Sequence, residues 1–369
     1  MGFLIRVLYG LFIGAFERAD AYVLNDVRRW HGLALMVLKN IESPELNIID
    51  LAYAYFLSFI YSLTTESITI TIFLSSVAWV ISAFVLLKIM NLFSMSYRNM
   101  LIVLILFTFM PSSLINTGSG LREAYQLLFV NLSIYCAVVI YLYRDIRYWF
   151  LLVVSLLLLS QLHITFVIFS LFLLSATLIS TRLRSINLDK PFLFRLFLLS
   201  IPVYLLISIS PLFSLLDMEK GVIASILTYQ GGSAATVDRA TYKMVIPDMD
   251  SLGNFFSLSM FIIKGFFQYL LEPMPWKMSS PVDLVLMVEN ILRVILIYLG
   301  LRSFHYVKDT KRTVLFLFIS SYLILEFVWS VGTTNWGTAA RHHVPALGIM
   351  LLMGFMFKDH IGQFKEPLK

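Results

Sequence analysis

The chain has 369 residues, of which 59% are hydrophobic and only 14% charged, and its mean hydropathy of +0.84 excludes a soluble globular protein of ordinary composition. The net charge of +6 does not indicate nucleic-acid binding, because the cations lie in short connections between apolar runs, where they orient membrane helices. The single cysteine, Cys136, lies within an apolar run, which excludes a disulfide framework and a thiolate metal site.

Apolar runs of nearly membrane-spanning length recur along the chain and predict a polytopic membrane protein. They cover roughly residues 3–16, 67–90, 98–113, 122–143, 148–161, 163–181, 195–216, 282–301, 313–331 and 344–357. Runs of about 14 residues fall below the roughly 17 that a span needs, so we expect them to extend into flanking polar residues or the bilayer to thin. Gln161 and His163 interrupt the run from 148 to 181, which predicts a tight helical hairpin.

Lysines and arginines fall in alternate connections, which the positive-inside rule places in the cytoplasm. This alternation between the two membrane sides is consistent along the chain only if the apolar stretches 47–64 and 254–271 do not cross the membrane. Both stretches carry polar residues typical of interfacial or re-entrant helices. The predicted fold is all-α, a polytopic transmembrane helical bundle of about ten spans in a single domain, residues 1–369, with both termini cytoplasmic. Interfacial helices are expected in its two large outer-face segments, 17–66 and 217–281.

In the first outer segment, Asp26, Trp30 and Ala34 are spaced by four residues and so share one side of a helix. A carboxylate, an aromatic ring and a small residue on one surface fit the wall of a substrate site. The alternative is an interfacial amphipathic helix whose Arg28 and Arg29 contact lipid headgroups. Both interpretations stay open at this point.

Pro111 and a run of small polar residues end one predicted span, and Arg122 and Glu123 begin the next. The positive end of a helix favours an anion, and Gly118 and Gly120 allow the backbone a close approach. Arg122 and Glu123 would anchor the helix start in a purely structural interpretation. Because a carboxylate at membrane depth is costly, we favour a functional role.

A polar turn with Arg341, His342 and His343 lies between two apolar runs near the C-terminus. A guanidinium beside two imidazoles at a bilayer boundary suits an anion such as phosphate or pyrophosphate. In the polar stretch 217–253, Arg239 is the favoured ligand-facing cation, and a solvated loop is the alternative. His163 is predicted to cap the helical hairpin, with proton handling as the alternative role.

These residues carry a resemblance to known membrane enzymes. Asp26, Trp30, His31 and Ala34 resemble the Asp-Glu-x-x-Tyr-His-x-x-Ala signature in the first outer loop of GT-C glycosyltransferases. The run 111–123 is similar to their Pro-Ser…Ser-Gly-x-x-(Arg/Lys)-Glu stretch. The fold that this resemblance implies is GT-C-like.

Three elements look closer to bacterial O-antigen and exopolysaccharide repeat-unit polymerases of the Wzy type. They are the run 111–123, the segment 272–276 with Glu289 and Asn290 behind it, and the segment 335–345. Val27 stands where GT-C enzymes commonly place a second acidic residue. The polymerase interpretation is favoured by that departure and by a short chain that consists almost entirely of predicted membrane segments.

The resemblance implies a glycosyltransferase that polymerises surface polysaccharide repeat units at the outer face of the bacterial inner membrane, from a polyprenyl-(pyro)phosphate-linked oligosaccharide donor and acceptor. Under it, Glu123 or Asp26 is the catalytic base, with Glu123 favoured at its helix N-terminus, and Arg122 supports the leaving group. The expected pyrophosphate- and glycan-binding residues are Arg341, His342, His343, Arg239, Trp276 and His31. No cofactor or metal is expected because side chains supply the cations, although a metal at Asp26 stays open. The expected partners are the lipid bilayer and other membrane proteins of polysaccharide assembly, with no nucleic acid.

Two other classes remain open. A GT-C transferase that adds one sugar from a polyprenyl-phosphate monosaccharide would depend on Asp26 above all. A glycolipid flippase or transporter would place paired charges along a cavity through the bilayer. The polar residues here gather on one face, which argues against a transporter, because its site must be reachable from both sides.

Overall fold

The computed structural model describes residues 1–16, 22–41, 48–163, 165–183, 242 and 254–358. Every regular element in these residues is helical. The helices are α1 (Gly2–Phe16), α2 (Tyr22–Leu38), α3 (Ile48–Leu63), α4 (Ile68–Leu92), α5 (Tyr97–Phe109), α6 (Pro111–Gly118), α7 (Glu123–Tyr143), α8 (Arg147–Leu162), α9 (Thr165–Leu183), α10 (Asn254–Leu271), α11 (Pro281–Tyr306), α12 (Asp309–Gly332), α13 (Trp336–His342) and α14 (Leu347–Phe355). A short 3₁₀ turn, Pro275–Lys277, lies between α10 and α11.

Five of these helices, α4, α7, α9, α11 and α12, are long and apolar enough to cross a membrane, and the bent pair α5–α6 makes a sixth if it counts as one span. The described part of the chain is therefore consistent with a multi-pass membrane protein. The number of about ten spans stays a prediction, because the run 195–216 lies outside the described residues and α1, α8 and α14 are shorter. The helices that cover the two stretches predicted not to cross, α3 and α10, are also not among the candidate spans.

The run from 148 to 181 forms the predicted hairpin. α8 ends at Leu162, α9 begins at Thr165, and His163 between them has an extended backbone. The backbone N–H of Thr165 donates to His163 Nδ1 at 3.2 Å. The prediction that His163 caps the hairpin is confirmed, because its side chain satisfies a donor at the open start of α9.

The span predicted over 98–113 is broken at Met110, where the axes of α5 and α6 differ by 55°. Pro111 has no N–H to continue α5, but its fixed φ suits the first position of a new helix. The residues expected to end that span instead form the separate helix α6. The backbone N–H of Ser112, in its first turn, donates to Glu289 Oε1 on α11 at 2.8 Å.

Close backbone approach is confirmed at Gly118, the last residue of α6, and at Gly120, which follows it. A Cβ atom at Gly118 would lie 3.2 Å from the Arg6 carbonyl oxygen, and one at Gly120 would lie 2.6 Å from Thr71 Oγ1. Gly120 also has a φ of 81°, which L-residues with side chains rarely adopt.

A buried arginine fixes α1 against α5 and α6. Arg6 Nε donates to Thr117 Oγ1 at 2.7 Å, and Arg6 Nη1 donates to the carbonyl oxygen of Thr108 at 3.1 Å. The guanidinium carbon lies 3.6 Å from the centroid of the Trp79 ring. Because a buried guanidinium is costly unless its donors are satisfied, these contacts account for small polar side chains on α6.

The run predicted as the last span, 344–357, forms the nine-residue helix α14, and all nine of its residues are buried. α14 packs against α5, α7, α11 and α12. A helix that is apolar on every side is enclosed by other elements. Its apolar composition therefore reflects a place at the centre of the protein core.

Gly10 provides a test of how closely α1 approaches α6. A Cβ atom at Gly10 would lie 2.3 Å from the Gly118 carbonyl oxygen, whereas one at Gly32 on α2 would have nothing within 4 Å. We expect Gly10→Ala to lower the thermal midpoint of the detergent-solubilised chain, since overpacking costs about 1–3 kcal/mol. Gly32→Ala should leave the midpoint unchanged or raise it, because alanine is favoured in helices by about 1 kcal/mol. Equal midpoints for the two variants would contradict this packing.

Candidate functional site

Three side chains singled out from distant parts of the sequence meet at one end of the bundle. Arg341 on α13 donates through Nε to Glu123 Oε1 and through Nη1 to Asp26 Oδ2. The residues of these two pairs are 218 and 315 positions apart in the chain. Asp26, Glu123 and Arg341, together with Arg122, are called the Arg341 cluster below.

The orientation of α2 follows from the spacing of its residues. Trp30 and Ala34 are buried, whereas Arg28 and Arg29 are exposed. Asp26 lies on the buried side and reaches Arg341. The predicted shared side of Asp26, Trp30 and Ala34 is confirmed, and that side faces the protein rather than the lipid.

Arg122 connects three helices at the start of α7. Its Nη1 donates to the carbonyl oxygen of Leu162, the last residue of α8, at 2.9 Å. Its guanidinium carbon lies 4.9 Å from the centroid of the Trp30 ring on α2. The formal charges of Arg122 and Arg341 balance those of the two carboxylates, as burial requires.

The side chains of the Arg341 cluster differ in exposure. The exposed fraction is 30% for Asp26, 17% for Arg341 and 3% for Glu123. Burial by itself would lower the pKa of the Arg341 guanidinium, but Glu123 and Asp26 outweigh it and raise that pKa above its ordinary value. Arg341 therefore remains a cation, and Asp26 is the more exposed of its two carboxylate partners.

His342, expected beside Arg341 as an anion ligand, packs against α12. Its Nδ1 lies 2.7 Å from Thr333 Oγ1, and its ring stacks on Trp329 with centroids 3.9 Å apart. Burial, and then the charges of His163 and Arg341, lower the pKa of His342 well below its ordinary value. A neutral imidazole offers an N–H donor but no charge, so the charge available to an anion here comes from the neighbouring arginine.

His163 packs against the same tryptophan. Its ring centroid is 4.6 Å from that of Trp329. Burial lowers the pKa of His163 to about 3, and the charges of Arg122 and Arg341 contribute. His163 is therefore neutral at physiological pH, which favours the capping role over proton handling.

A second group of buried polar side chains lies on the opposite side of α13. His343 Nδ1 lies 2.5 Å from Glu326 Oε2, Arg293 donates to Asn290 Oδ1, and Asn290 Nδ2 donates to the carbonyl oxygen of Glu272 at 2.6 Å. These five residues are called the His343 cluster below. Its members come from α11, α12 and the segments that follow α10 and α13, so His343 does not share a side of α13 with Arg341.

The motif 272–276 contributes to this second cluster through its glutamate. Glu272 Oε1 accepts from Lys277 Nζ at 2.6 Å, and Glu272 Oε2 accepts from Trp336 Nε1 at 3.3 Å. Arg293 and Glu326 were not predicted from the sequence as site residues. Arg293 and Glu326 are each a single charge within an apolar run, and a charge at membrane depth needs an oppositely charged or hydrogen-bonding partner. That pattern would have identified both residues from the sequence.

The remaining predicted ligand residues lie apart from the Arg341 cluster or outside the described residues. The Trp276 side chain is 78% exposed. His31 Nδ1 lies 2.8 Å from Tyr61 Oη and so connects α2 with α3. Arg239 lies outside the described residues, but the N–H of Tyr242 donates to the carbonyl oxygen of Thr334 at 2.9 Å. Tyr242 therefore contacts the chain just before α13.

The chain matches no known family model, no curated protein and no solved structure. Function is therefore inferred from the residues themselves. In the part of the chain that the structure describes, no three His, Cys, Asp or Glu side chains converge to hold a metal ion.

The contact between Arg341 and Glu123 is testable by a double-mutant cycle on stability. Removing one partner of a buried ion pair costs about 3–5 kcal/mol, because the other charge stays buried without its partner. We expect Arg341→Met to lower the thermal midpoint of the purified chain more than Arg341→Met combined with Glu123→Gln does. Arg29→Met, at an exposed position of α2, is the control and should have little effect. A double variant whose loss equals the sum of the two single losses would contradict the contact.

Proposed function

We propose that the chain is a membrane glycosyltransferase that polymerises polysaccharide repeat units carried on polyprenyl (pyro)phosphate at the outer face of the bacterial inner membrane. The observation that supports this proposal is the Arg341 cluster. It holds a permanent cation in hydrogen-bond contact with two carboxylates at one end of the helix bundle. A cation for a leaving phosphate and a base for a hydroxyl are the two groups that glycosyl transfer requires.

The proposed reaction joins two lipid-linked glycans. The acceptor hydroxyl oxygen forms a bond to the anomeric carbon of the donor, while the bond from that carbon to the pyrophosphate oxygen breaks. A carboxylate takes the hydroxyl proton, and the guanidinium of Arg341 stabilises the charge that develops on the departing lipid pyrophosphate. The contacts of Arg341 with the carboxylates use Nε and Nη1, and we assign Nη2 to the phosphate oxygens.

Exposure separates the roles of the two carboxylates. The sequence alone favours Glu123 as the base, but its side chain is only 3% exposed, against 30% for Asp26. A base must come within hydrogen-bond reach of the hydroxyl that it deprotonates. We therefore assign proton abstraction to Asp26 and the positioning of Arg341 to Glu123.

The position of the Arg341 cluster along α7 supports the outer face. Glu123 begins α7, and Arg144 caps its other end. Arg147 begins α8 and Arg182 lies in the last turn of α9, at the ends of those helices away from the cluster. The positive-inside rule places that arginine-rich end in the cytoplasm, which leaves the cluster outside.

A second candidate function is favoured by one specific observation. Asp26, the acidic residue of the GT-C-like motif, is the most exposed carboxylate of the Arg341 cluster. A GT-C transferase that moves one sugar from a polyprenyl-phosphate monosaccharide would use such a residue as its base. This candidate and the polymerase share the chemistry at the anomeric carbon and differ in what accumulates when the protein is absent.

Lipid-linked glycans in a deletion strain of the bacterial host test the proposed polymerase. We expect single complete repeat units to accumulate on the polyprenyl lipid and long polymer to be lost, as measured by mass spectrometry of lipid extracts. The strain complemented with Arg341→Lys should show the same profile, because an ammonium does not reproduce a bidentate guanidinium. Arg29→Lys is the matched control and should restore polymer.

Other outcomes would contradict the polymerase. Truncated repeat units in the deletion strain would indicate the single-sugar transferase, and complete units confined to the inner leaflet would indicate a flippase. Polymer of normal length with Arg341→Lys, at normal expression, would remove Arg341 from the leaving-group role.

The variants Asp26→Asn and Glu123→Gln test the division of roles between the carboxylates. Each removes a negative charge with little change in volume. Loss of a general base costs roughly 10²- to 10⁴-fold in rate, so Asp26→Asn should reduce incorporation of labelled repeat units by that factor. Its thermal midpoint should fall only slightly, because Asp26 is the more exposed of the two carboxylates and Arg341 keeps Glu123 as a partner. Glu123→Gln should lower the rate less and the midpoint more, because it releases Arg341. The reverse pattern would return the base to Glu123.

A further inference from the structure

A recess of about 280 Å³ opens at the end of α7, α8 and α9 that lies away from the Arg341 cluster. Its lining residues are Ile140, Arg144, Trp149, Thr181 and Arg182. Since α7 has 21 residues, it separates Glu123 from this recess by about 30 Å. That distance is the thickness of the hydrocarbon core, so the recess and the Arg341 cluster belong to opposite membrane surfaces.

The chemistry of the lining matches a phosphate ester. Arg144 and Arg182 bring fork-shaped donors that fit phosphate oxygens, and the hydroxyl of Thr181 adds a further donor. Trp149 adds an indole, the ring most typical of the depth at which headgroups meet acyl chains. We propose that the recess binds the headgroup phosphate of an anionic phospholipid.

The surface beside the recess favours a lipid over free phosphate. Phe150, Val153 and Leu157 on α8 are 76%, 40% and 61% exposed. Their spacing of three and four residues places them in one stripe that starts next to Trp149 and runs along the helix. Acyl chains attached to a phosphate in the recess would lie along this stripe, whereas inorganic phosphate would leave it unused.

The neighbouring connection supplies a matched control. Arg147 Nη2 donates to Asp145 Oδ2 at 2.7 Å, and Arg147 does not line the recess. Arg98 is an exposed arginine at the start of α5. Neutralising Arg147 and Arg98 therefore removes the same number of positive charges as neutralising the two arginines of the recess.

The backbone at Arg144 guides the choice of substitution. Its φ is 55°, a left-handed conformation that asparagine tolerates better than other residues with side chains. Arg144→Asn therefore removes the cation without adding backbone strain. The test variant is Arg144→Asn combined with Arg182→Gln, and the control is Arg98→Gln combined with Arg147→Gln.

Lipid binding to the purified full chain in detergent decides the proposal. Native mass spectrometry would give the dissociation constant of the first bound dioleoylphosphatidylglycerol and, in parallel, of the neutral dioleoylphosphatidylcholine. We expect the original chain to prefer the anionic lipid and the test variant to lose affinity for it by about fivefold for each arginine removed. The control variant should keep the preference.

Three results would overturn the proposal: an unchanged preference in the test variant, an equal loss in the control variant, or displacement of the anionic lipid by excess inorganic phosphate. The last result would identify free phosphate as the ligand. If the double variant does not fold, Arg144→Asn alone carries the same comparison against Arg147→Gln, with a loss of about fivefold expected.

Discussion

The position of α13 depends on Arg341, which is held between carboxylates from two other helices. Asp26 and Glu123 bring α2 and α7 to the guanidinium, and removal of either would leave part of its charge uncompensated in a largely buried place. Two residues later, His343 contacts Glu326 on α12 from the opposite side of α13. A seven-residue helix is too short to be stable alone, so these polar contacts, with the packing around them, determine where its side chains lie.

The same requirement, that a buried charge must find partners, explains the broken helix pair α5–α6. Arg6 from α1 donates to the Thr117 side chain of α6, and Glu289 from α11 accepts from the N–H of Ser112 at the start of α6. The first turn of a helix has unsatisfied N–H groups and a partial positive charge, so a carboxylate is favourable there. These contacts hold α6 at an angle to α5. The short connection after α6 leads to Glu123, the first residue of α7.

The three helices α7, α8 and α9 present different chemistry at their two ends. One end lies beside balanced charges that are mostly buried, of which Asp26 on α2 is the more exposed carboxylate. The other end carries exposed arginines around a recess that is open to its surroundings. An apolar length of about 30 Å separates them. The proposed reaction at one membrane surface and the proposed lipid contact at the other are compatible, because the two sites share no residues.

The sequence by itself determined those features that depend on neighbours a few residues away: the start of α7 at Glu123, the hairpin around His163 and the side of α2 that carries Asp26. Hydrophobic periodicity, helix capping and helix-breaking residues act between neighbours in the sequence, so they can be recognised without knowledge of the tertiary structure. Only the tertiary structure decided that the apolar run 344–357 is a core helix, since apolar residues are required equally in lipid and in protein. It alone decided which charges meet, because the contact of Arg341 with Asp26 joins positions 315 residues apart and depends on how α2, α7 and α13 pack together.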